Sequence, residues 1–367
     1  MRVPFVDLQI QHQRLSGEIN ARVQEVVTRG DFVLGAAVER FETAWAGYLG
    51  VKHAIGVGTG LDAIELALRA HGIGPGDEVI TAANTFIATV LAIAAAGATP
   101  VLVDARSDTY NIDPAAVAAA VGPRTKAIVP VHLYGQPADM DGILAVARRH
   151  HLVVIEDAAQ AHGARYRGHR AGGLGHAAAF SFYPSKNLGA WGDGGMVVTG
   201  DDALAGKLRL LRNYGQRVKY HHSVAGTNSR LDTIQAAVLG VKLPYLDDWN
   251  DSRRHHAASY STLLSGRLET PVTLPHVDHV YHLYVVETDR RETLQQALRE
   301  RGIDSGIHYP VPVHLQEAFA HLGHRQGEFP VTERAATRIL SLPMYPELTE
   351  TQLTHVATAV GDALDAG

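Results

Sequence analysis

The chain reads as an α/β protein, with a mostly parallel central sheet covered by helices and a smaller α+β unit behind it. Two observations predict this. Apolar strand-like runs alternate with helical segments through most of the chain, and that alternation then gives way to long helical periodicity.

The elements can be justified in order. The first 25 or so residues are amphipathic and are read as packing on either part, the small one included. "DEVITA" is strand-like, "TFIATVLAIAAAG" helical and "TPVLVDA" strand-like. "DPAAVAAAV" is a helix with Asp113 at the N-cap and Pro114 at the first helical position. "KAIVPVHLYG" and "LVVIEDAA" are continuous apolar runs ending at polar residues, as in strands buried on both faces. Ligands of such a sheet belong outside the carboxyl ends of its strands. From "RLDTIQAAVLGVKLPYLDDWNDSRRHHAASYSTLL" the pattern turns helical, with a boundary near Pro244 to Trp249. We expect a large domain over residues 1–246 and a small C-terminal one over 247–367, the latter holding strand-like "YHLYVVET" and the helix "RETLQQALRERG".

Composition narrows the function. With 367 residues, 46% of them hydrophobic and 19% charged, the chain can bury one large core or two moderate ones. A formal charge of −5 and no long basic run speak against nucleic acid or an anionic membrane as partner. The absence of cysteine removes disulfides, thiolate nucleophiles and cysteine zinc sites, and fits a cytoplasmic protein. "MRVPFVDLQIQHQRLSGEI" lacks the pattern of a signal peptide. "FIATVLAIAAAGATPVLV", the longest apolar stretch, contains a glycine and a proline and runs into Asp104, so it reads as a buried helix and a strand. The 21 histidines include no H-E-x-x-H, and "HHSV", "RRHHAAS" and "RRHHLV" are expected on the surface.

Four features fall where the sheet would display chemistry. In "GVGTGLDAIELALRA" a Gly-Thr-Gly turn opens a helix with apolar Ala63, Ile64, Ala67 and Leu68, a natural phosphate cradle, although tight turns use glycine anyway. It is not the G-x-G-x-x-G of a nicotinamide site. Asp157 closes "LVVIED" and either caps the next helix or holds a protonated nitrogen, with Gln160 and His162 near enough to line the same pocket. In "FSFYPSKNLGAWGDGGMVV", Ser181 precedes Lys186 by five residues; Pro184 stiffens the approach and Gly189, Gly192, Gly194 and Gly195 permit tight turns after it. A lysine in a setting that lowers its pKa forms Schiff bases with carbonyl compounds. Phe86 is core or stacks on a flat ring. A strand-end aspartate, a phosphate-ready turn and a glycine-framed lysine are together what pyridoxal phosphate needs.

At these residues the chain resembles the DegT/DnrJ/EryC1/StrS sugar aminotransferases. The matching motifs are "GVGTGLDAIELAL", "VHLYGQPADM", "VIEDAAQAHGA", "FSFYPSKNLGAWGDGGMVVT" and "GTNSRLDTIQAAVL". The resemblance implies the fold type I architecture of aspartate aminotransferase. It also implies a pyridoxal 5'-phosphate cofactor cycling through pyridoxamine 5'-phosphate, and a homodimer. Lys186 would bind the cofactor covalently and move protons; Asp157 would pair with the pyridine nitrogen and Gln160 with the ring hydroxyl. Thr59, Gly60 and Ser181 would hold the phosphate, joined by Asn228 of the second subunit, and Phe86 would stack on the ring. Substrate candidates are Tyr183, Lys219, Tyr220, Arg230, His308 and Tyr309.

"GIHYPVPVHLQ" and "ANTFIATVLAI" look more like members that aminate carbon 3 of a dTDP-linked 3-keto-6-deoxyhexose, with L-glutamate as donor, than like carbon-4 enzymes. Three rivals stand beside this reading: amination at carbon 4 of a dTDP- or UDP-linked 4-keto sugar, a sugar dehydratase, and a cofactor-binding regulator without turnover. Dehydratases of this kind replace the lysine with histidine, so Lys186 speaks against that one.

Overall fold

The computed structural model describes residues 1–365. Its centre is a seven-stranded sheet built from β1 (His53–Val57), β2 (Glu78–Ala82), β3 (Thr99–Val103), β4 (Thr125–Ile128), β5 (Val153–Asp157), β6 (Ala177–Ser181) and β7 (Gly195–Thr199), in the order β1-β7-β6-β5-β4-β2-β3. The β3-β2-β4-β5-β6 run is parallel, and β7 is antiparallel to both of its neighbours. The mostly parallel sheet expected from sequence is therefore present.

The continuous apolar runs have a simple cause. Val79 and Ile155 enter a core on one face, while Ile80 and Val154 enter another core on the opposite face. Both pleats of these strands are buried, so neither carries polar alternation. Helices α3 (Gly60–Ala70), α4 (Ile87–Ala95), α5 (Pro114–Ala120), α6 (Met140–His150) and α7 (Asp202–Leu211) cover the two faces. Asp113 caps α5, accepting from the Ala115 N–H at 3.0 Å with Pro114 following, as its sequence predicts. Ala63, Ile64, Ala67 and Leu68 of α3 are all buried.

"KAIVPVHLYG" departs from expectation. Its strand stops at Ile128, because Pro130 has no N–H to give a neighbouring strand, and a short turn follows with Tyr134 at φ 59°. Val131 keeps one bridge to Asp157, so the segment still borders the sheet's carboxyl edge.

Two helices precede the sheet, α1 (Leu8–Arg29) and α2 (Ala36–Leu49). Leu15 and Ile19 of α1 pack on Val238 and Val241 of α8 (Thr233–Lys242). Val3, still earlier, bridges Ile303 and joins a different core. That core belongs to α9 (Leu246–Leu263), α10 (Arg291–Glu300), α12 (Glu350–Asp365) and the antiparallel pair β8 (Tyr284–Glu287) and β9 (Ile339–Leu342), packed through Tyr260, Tyr284, Leu298, Leu340 and Val360. Helix α11 (Pro330–Arg338) leads into β9.

Trp45 is fully buried, edge-on to Phe180 and Phe182. Burying such a side chain contributes about 2 kcal/mol or more, which ties α2 to the strand that presents Ser181. Of the histidine-rich runs, "RRHHLV" does have exposed Arg148, Arg149, His150 and His151. "RRHHAAS" is a correction: Arg253 and His256 are buried, Arg253 donating to the carbonyls of Tyr281 (3.1 Å) and Met344 (2.9 Å) and so fastening α9 to two loops. Among the described residues no helix is long and apolar enough to cross a membrane, and no group of side chains is arranged to hold a metal ion.

Candidate active site

The carboxyl ends of β1, β2, β5 and β6 and the start of β7 converge on one cavity of about 580 Å³. That is where an open parallel sheet displays ligands. The lining includes Thr59, Gly60, Phe86, Asp157, Gln160, Ser181, Tyr183, Lys186, His308 and Tyr309, ten positions singled out from the sequence.

At one end of the cavity, Thr59 caps α3, its Oγ1 accepting from the Asp62 N–H at 3.0 Å. The Gly60 and Leu61 N–H groups have no partner among the described residues, and both residues line the cavity. A helix start with free N–H groups attracts an anion. A Cβ on Gly60 would stand 2.6 Å from Ser181 Cβ, so glycine is what lets α3 seat directly against β6.

At the opposite end, Asp157 is held from two sides. Thr89 Oγ1 donates to its Oδ2 at 2.8 Å, and the Ala159 N–H donates to Oδ1 at 3.2 Å. Burial pushes its pKa up, against these hydrogen bonds and the attraction of Lys186. A carboxylate kept there asks for a cationic or N–H partner in the cavity.

Lys186 lines the cavity on a tight turn after Tyr183, its N–H donating to the Tyr183 carbonyl. A Cβ on Gly189 would meet the Pro184 carbonyl oxygen at 2.2 Å, so the turn closes only with glycine there. Burial lowers the lysine to about 8, while Asp157 pulls the other way. Its Nζ makes no hydrogen bond among the described residues.

Gln160 is already engaged. Its Oε1 accepts from the Tyr134 N–H at 2.6 Å and its Nε2 donates to the Tyr309 hydroxyl at 3.1 Å, leaving one amide hydrogen for a ligand. Phe86 is half exposed and leans on Tyr309, ring centres 5.1 Å apart. The His308 ring stacks on Phe5 and shares a hydrogen bond with Ser341 Oγ at 2.8 Å. Burial, with Lys186 adding to it, pushes His308 down to about 4, so it is neutral at neutral pH.

Four residues named from sequence stand outside this cavity in the single chain. Asn228 is exposed and its backbone bridges Asn213; Arg230 donates to Asn213 Oδ1 at 3.0 Å and lies over the Tyr214 ring. Lys219 and Tyr220 form the exposed tip of the hairpin made by Gln216–Val218 and His221–His222. His162 is a correction: it does not line the pocket with Gln160 but is sealed in the aromatic core beside Trp45, Phe180 and Phe182.

Sequence reading missed Thr89, Asn187 and His282. Thr89 hides in an apolar helix and is recognisable only because it faces Asp157; His282 comes from "YHLY", where the strand pattern drew attention away from it.

The cradle, the buried lysine and the strand-end aspartate fit a ligand with a phosphate at one end, an aldehyde in the middle and a basic ring nitrogen at the other. Pyridoxal phosphate has these groups. This arrangement defines a class, the fold type I transferases that work with it.

The chain belongs to the DegT/DnrJ/EryC1/StrS aminotransferase family, whose sequence profile matches residues 13–361. It is 52% identical to a "pleiotropic regulatory protein" of Geobacillus stearothermophilus, over 99% of this chain and 98% of that one. It is also 52% identical to dTDP-3-amino-3,4,6-trideoxy-alpha-D-glucose transaminase of Streptomyces venezuelae, over 98% and 95%. The crystal structure of S. venezuelae DesV in complex with a ketimine intermediate superposes with a TM-score of 0.96 at 52% identity, covering 98% of this chain and 97% of that one. NtdA from Bacillus subtilis with bound cofactor PMP superposes with 0.93 at 33% identity, over 99% and 85%. The family, the fold and the aminotransferase class expected from the sequence motifs are thus borne out.

Proposed function

We propose that this protein is a pyridoxal phosphate-dependent transaminase that moves the amino group of L-glutamate to carbon 3 of a dTDP-linked 3-keto-6-deoxyhexose. The observation that carries the reading is the shared cavity of Lys186 and Asp157, between a free helix start and two tyrosines. The S. venezuelae relative, whose name specifies a dTDP-3-amino sugar, supports the position of amination.

When bound, the cofactor supplies an electron-withdrawing ring that acidifies the carbon bearing the amino group. The chain's own residues do the rest. Asp157, kept in place by Thr89 and Ala159, would hold a proton on the ring nitrogen. Gly60 and Leu61 N–H groups with Ser181 Oγ would grip the phosphate. Lys186 would carry the cofactor through Nζ and, once displaced by the nitrogen of the amino donor, would take the proton from the carbon bearing that nitrogen and return it at the cofactor's aldehyde carbon; a pKa of about 8 suits a group that works both ways near neutral pH. Phe86 and Tyr309, packed on each other at the cavity wall, would cover the ring and exclude water.

The enzyme works as a cytoplasmic homodimer in this reading. Asn228 would complete the phosphate site of the other subunit, with Lys219, Tyr220 and Arg230 reaching toward its sugar nucleotide. Their position outside the single-chain cavity supports that reading. Mixing and refolding Lys186→Ala with Asn228→Ala should restore activity, since a hybrid has one intact site; two inactive variants that stay inactive when mixed would sink it.

The central test incubates the protein with pyridoxal phosphate, L-glutamate and dTDP-3-keto-6-deoxyglucose and identifies the product by mass and NMR. A carbon-3 amino sugar is expected. Cofactor capture without turnover of this sugar would move the substrate to a carbon-4 or further deoxygenated keto sugar. The name of the Geobacillus relative favours a second reading, a cofactor-binding regulator; absence of transamination with every keto sugar offered would favour it.

A further inference from the structure

Asn187 follows the cavity lysine, and its own side chain is buried on the far side. Its Nδ2 has two hydrogens and both are used, on Asn250 Oδ1 at 2.8 Å and on the Val280 carbonyl at 3.0 Å. Neither acceptor offers a hydrogen. The Asn250 amide is itself oriented, because its Nδ2 donates to the His162 carbonyl at 2.8 Å. Asn187 Oδ1 is left as a pure acceptor, 3.2 Å from His282 Nδ1. That contact is a hydrogen bond only with the hydrogen on Nδ1. A neutral imidazole has one N–H, so Nε2 of His282 keeps its lone pair.

His282 is neutral, its pKa driven well below 6.5 by burial and by Lys186. It lines the cavity, and its Nε2 has no hydrogen-bond partner among the described residues. Lys186, Tyr309 and Gln160, which line the same cavity, have hydrogens to donate; His282 brings an acceptor.

We propose that His282 accepts a hydrogen bond through Nε2 from the bound reactant, and that Asn187 and Asn250 are the positioning residues that keep this atom unprotonated. The inference rests on the transaminase reading. The donor on the reactant is an O–H or N–H: a sugar hydroxyl next to the keto carbon, or the ammonium of the amino donor.

Two measurements test it. The first is ¹⁵N NMR of the cofactor-loaded protein with labelled histidine, the His282 signals assigned by their loss in His282→Gln. A protonated Nδ1 and a bare Nε2 are expected, and Asn187→Leu should populate the other tautomer; Nε2–H in the unaltered protein overturns the proposal. The second compares His282→Leu with His282→Gln, which restores an acceptor. We expect KM to rise about five- to tenfold in the leucine variant, the loss of one hydrogen bond, and to return most of the way in the glutamine variant. A rise confined to the keto sugar identifies a sugar hydroxyl, and one confined to glutamate identifies the ammonium. If neither KM moves, the proposal fails whatever the tautomer. The NMR arm needs no turnover, so a failure of the transaminase reading shows itself separately, as a bare Nε2 in a protein that converts no keto sugar; titration calorimetry with dTDP-sugar and glutamate then replaces KM.

Discussion

Thr89 Oγ1 donates a hydrogen bond of 2.8 Å to Asp157 Oδ2, tying the first turn of one helix to the end of a central strand. Thr85 shares a 2.7 Å hydrogen bond with the same Thr89 hydroxyl. Since Thr89 hydrogen-bonds the charged carboxylate, it favours that form against burial. Thr89→Val keeps shape and removes the donor. We expect Asp157 to become a weaker partner for a ring nitrogen, with kcat falling about tenfold and cofactor content little changed; an unaltered kcat would assign the contact to folding alone.

The lowered pKa of Lys186 gives a second expectation. A free lysine near 10.5 is almost wholly protonated at neutral pH, but burial brings Lys186 to about 8. Cofactor capture by the stripped protein needs the neutral amine, so its rate should climb with pH up to about 8 and level off above. Stopped-flow absorbance over pH 6 to 10 measures this. A rate still rising steeply near pH 10 would mean that the amine is not desolvated.

Asp157→Asn separates chemistry from stability. Burial raises the folded pKa of Asp157 above its unfolded value, so the folded, cofactor-free chain resists ionising it. The resulting cost is present at neutral pH, is absent below the unfolded pKa near 3.8, and grows between the two pKa values. The stripped variant should therefore be more stable than the unaltered chain at pH 7 and gain nothing at low pH. Turnover should drop about a hundredfold or more as the ring nitrogen loses its charged partner. Thermal melts at pH 3 and 7 and a glutamate half-reaction check both halves.

Much of this was legible in the sequence because it depends on local signals. Asp113 with Pro114, the Gly-Thr-Gly turn, and the spacing of Ser181 and Lys186 each set a backbone shape by themselves, and the parallel sheet then carries their side chains to one edge. Contacts made across the fold were not legible. Thr89 looks like a polar slip in an apolar helix until Asp157 is placed opposite. Arg253 and His256 look like surface residues until the Tyr281, Met344 and Pro346 carbonyls are seen around them. His162, two residues after Gln160, points into the aromatic core because the chain turns between them, at Ala161. Proximity in sequence could not say which residue faced the cavity.

The contact between α3 and β6 yields a last expectation. Ser181 pairs with Gly195 across the ladder and cannot slide, and Gly60 opens a helix anchored by the buried Ile64, Leu66 and Leu68. An added Cβ at residue 60, 2.6 Å from Ser181 Cβ, must push the two elements apart. Overpacking of this kind costs about 1–3 kcal/mol, and the displacement falls on the phosphate cradle. Gly60→Ala should thus lower stability and weaken cofactor binding by tenfold or more. The double variant Gly60→Ala with Ser181→Gly removes the 2.6 Å Cβ contact along with the hydroxyl and leaves the milder 3.1 Å approach to the residue 181 Cα. If the cradle works through helix position, the double variant should recover stability and most of the binding, keeping only the deficit of one lost hydrogen bond, about 1 kcal/mol. Fluorescence titration of pyridoxal phosphate against the two variants decides it: a double variant that stays as weak as Gly60→Ala would assign most of the grip to the Ser181 hydroxyl, and undiminished binding in Gly60→Ala would leave the close approach of Gly60 without a part in binding.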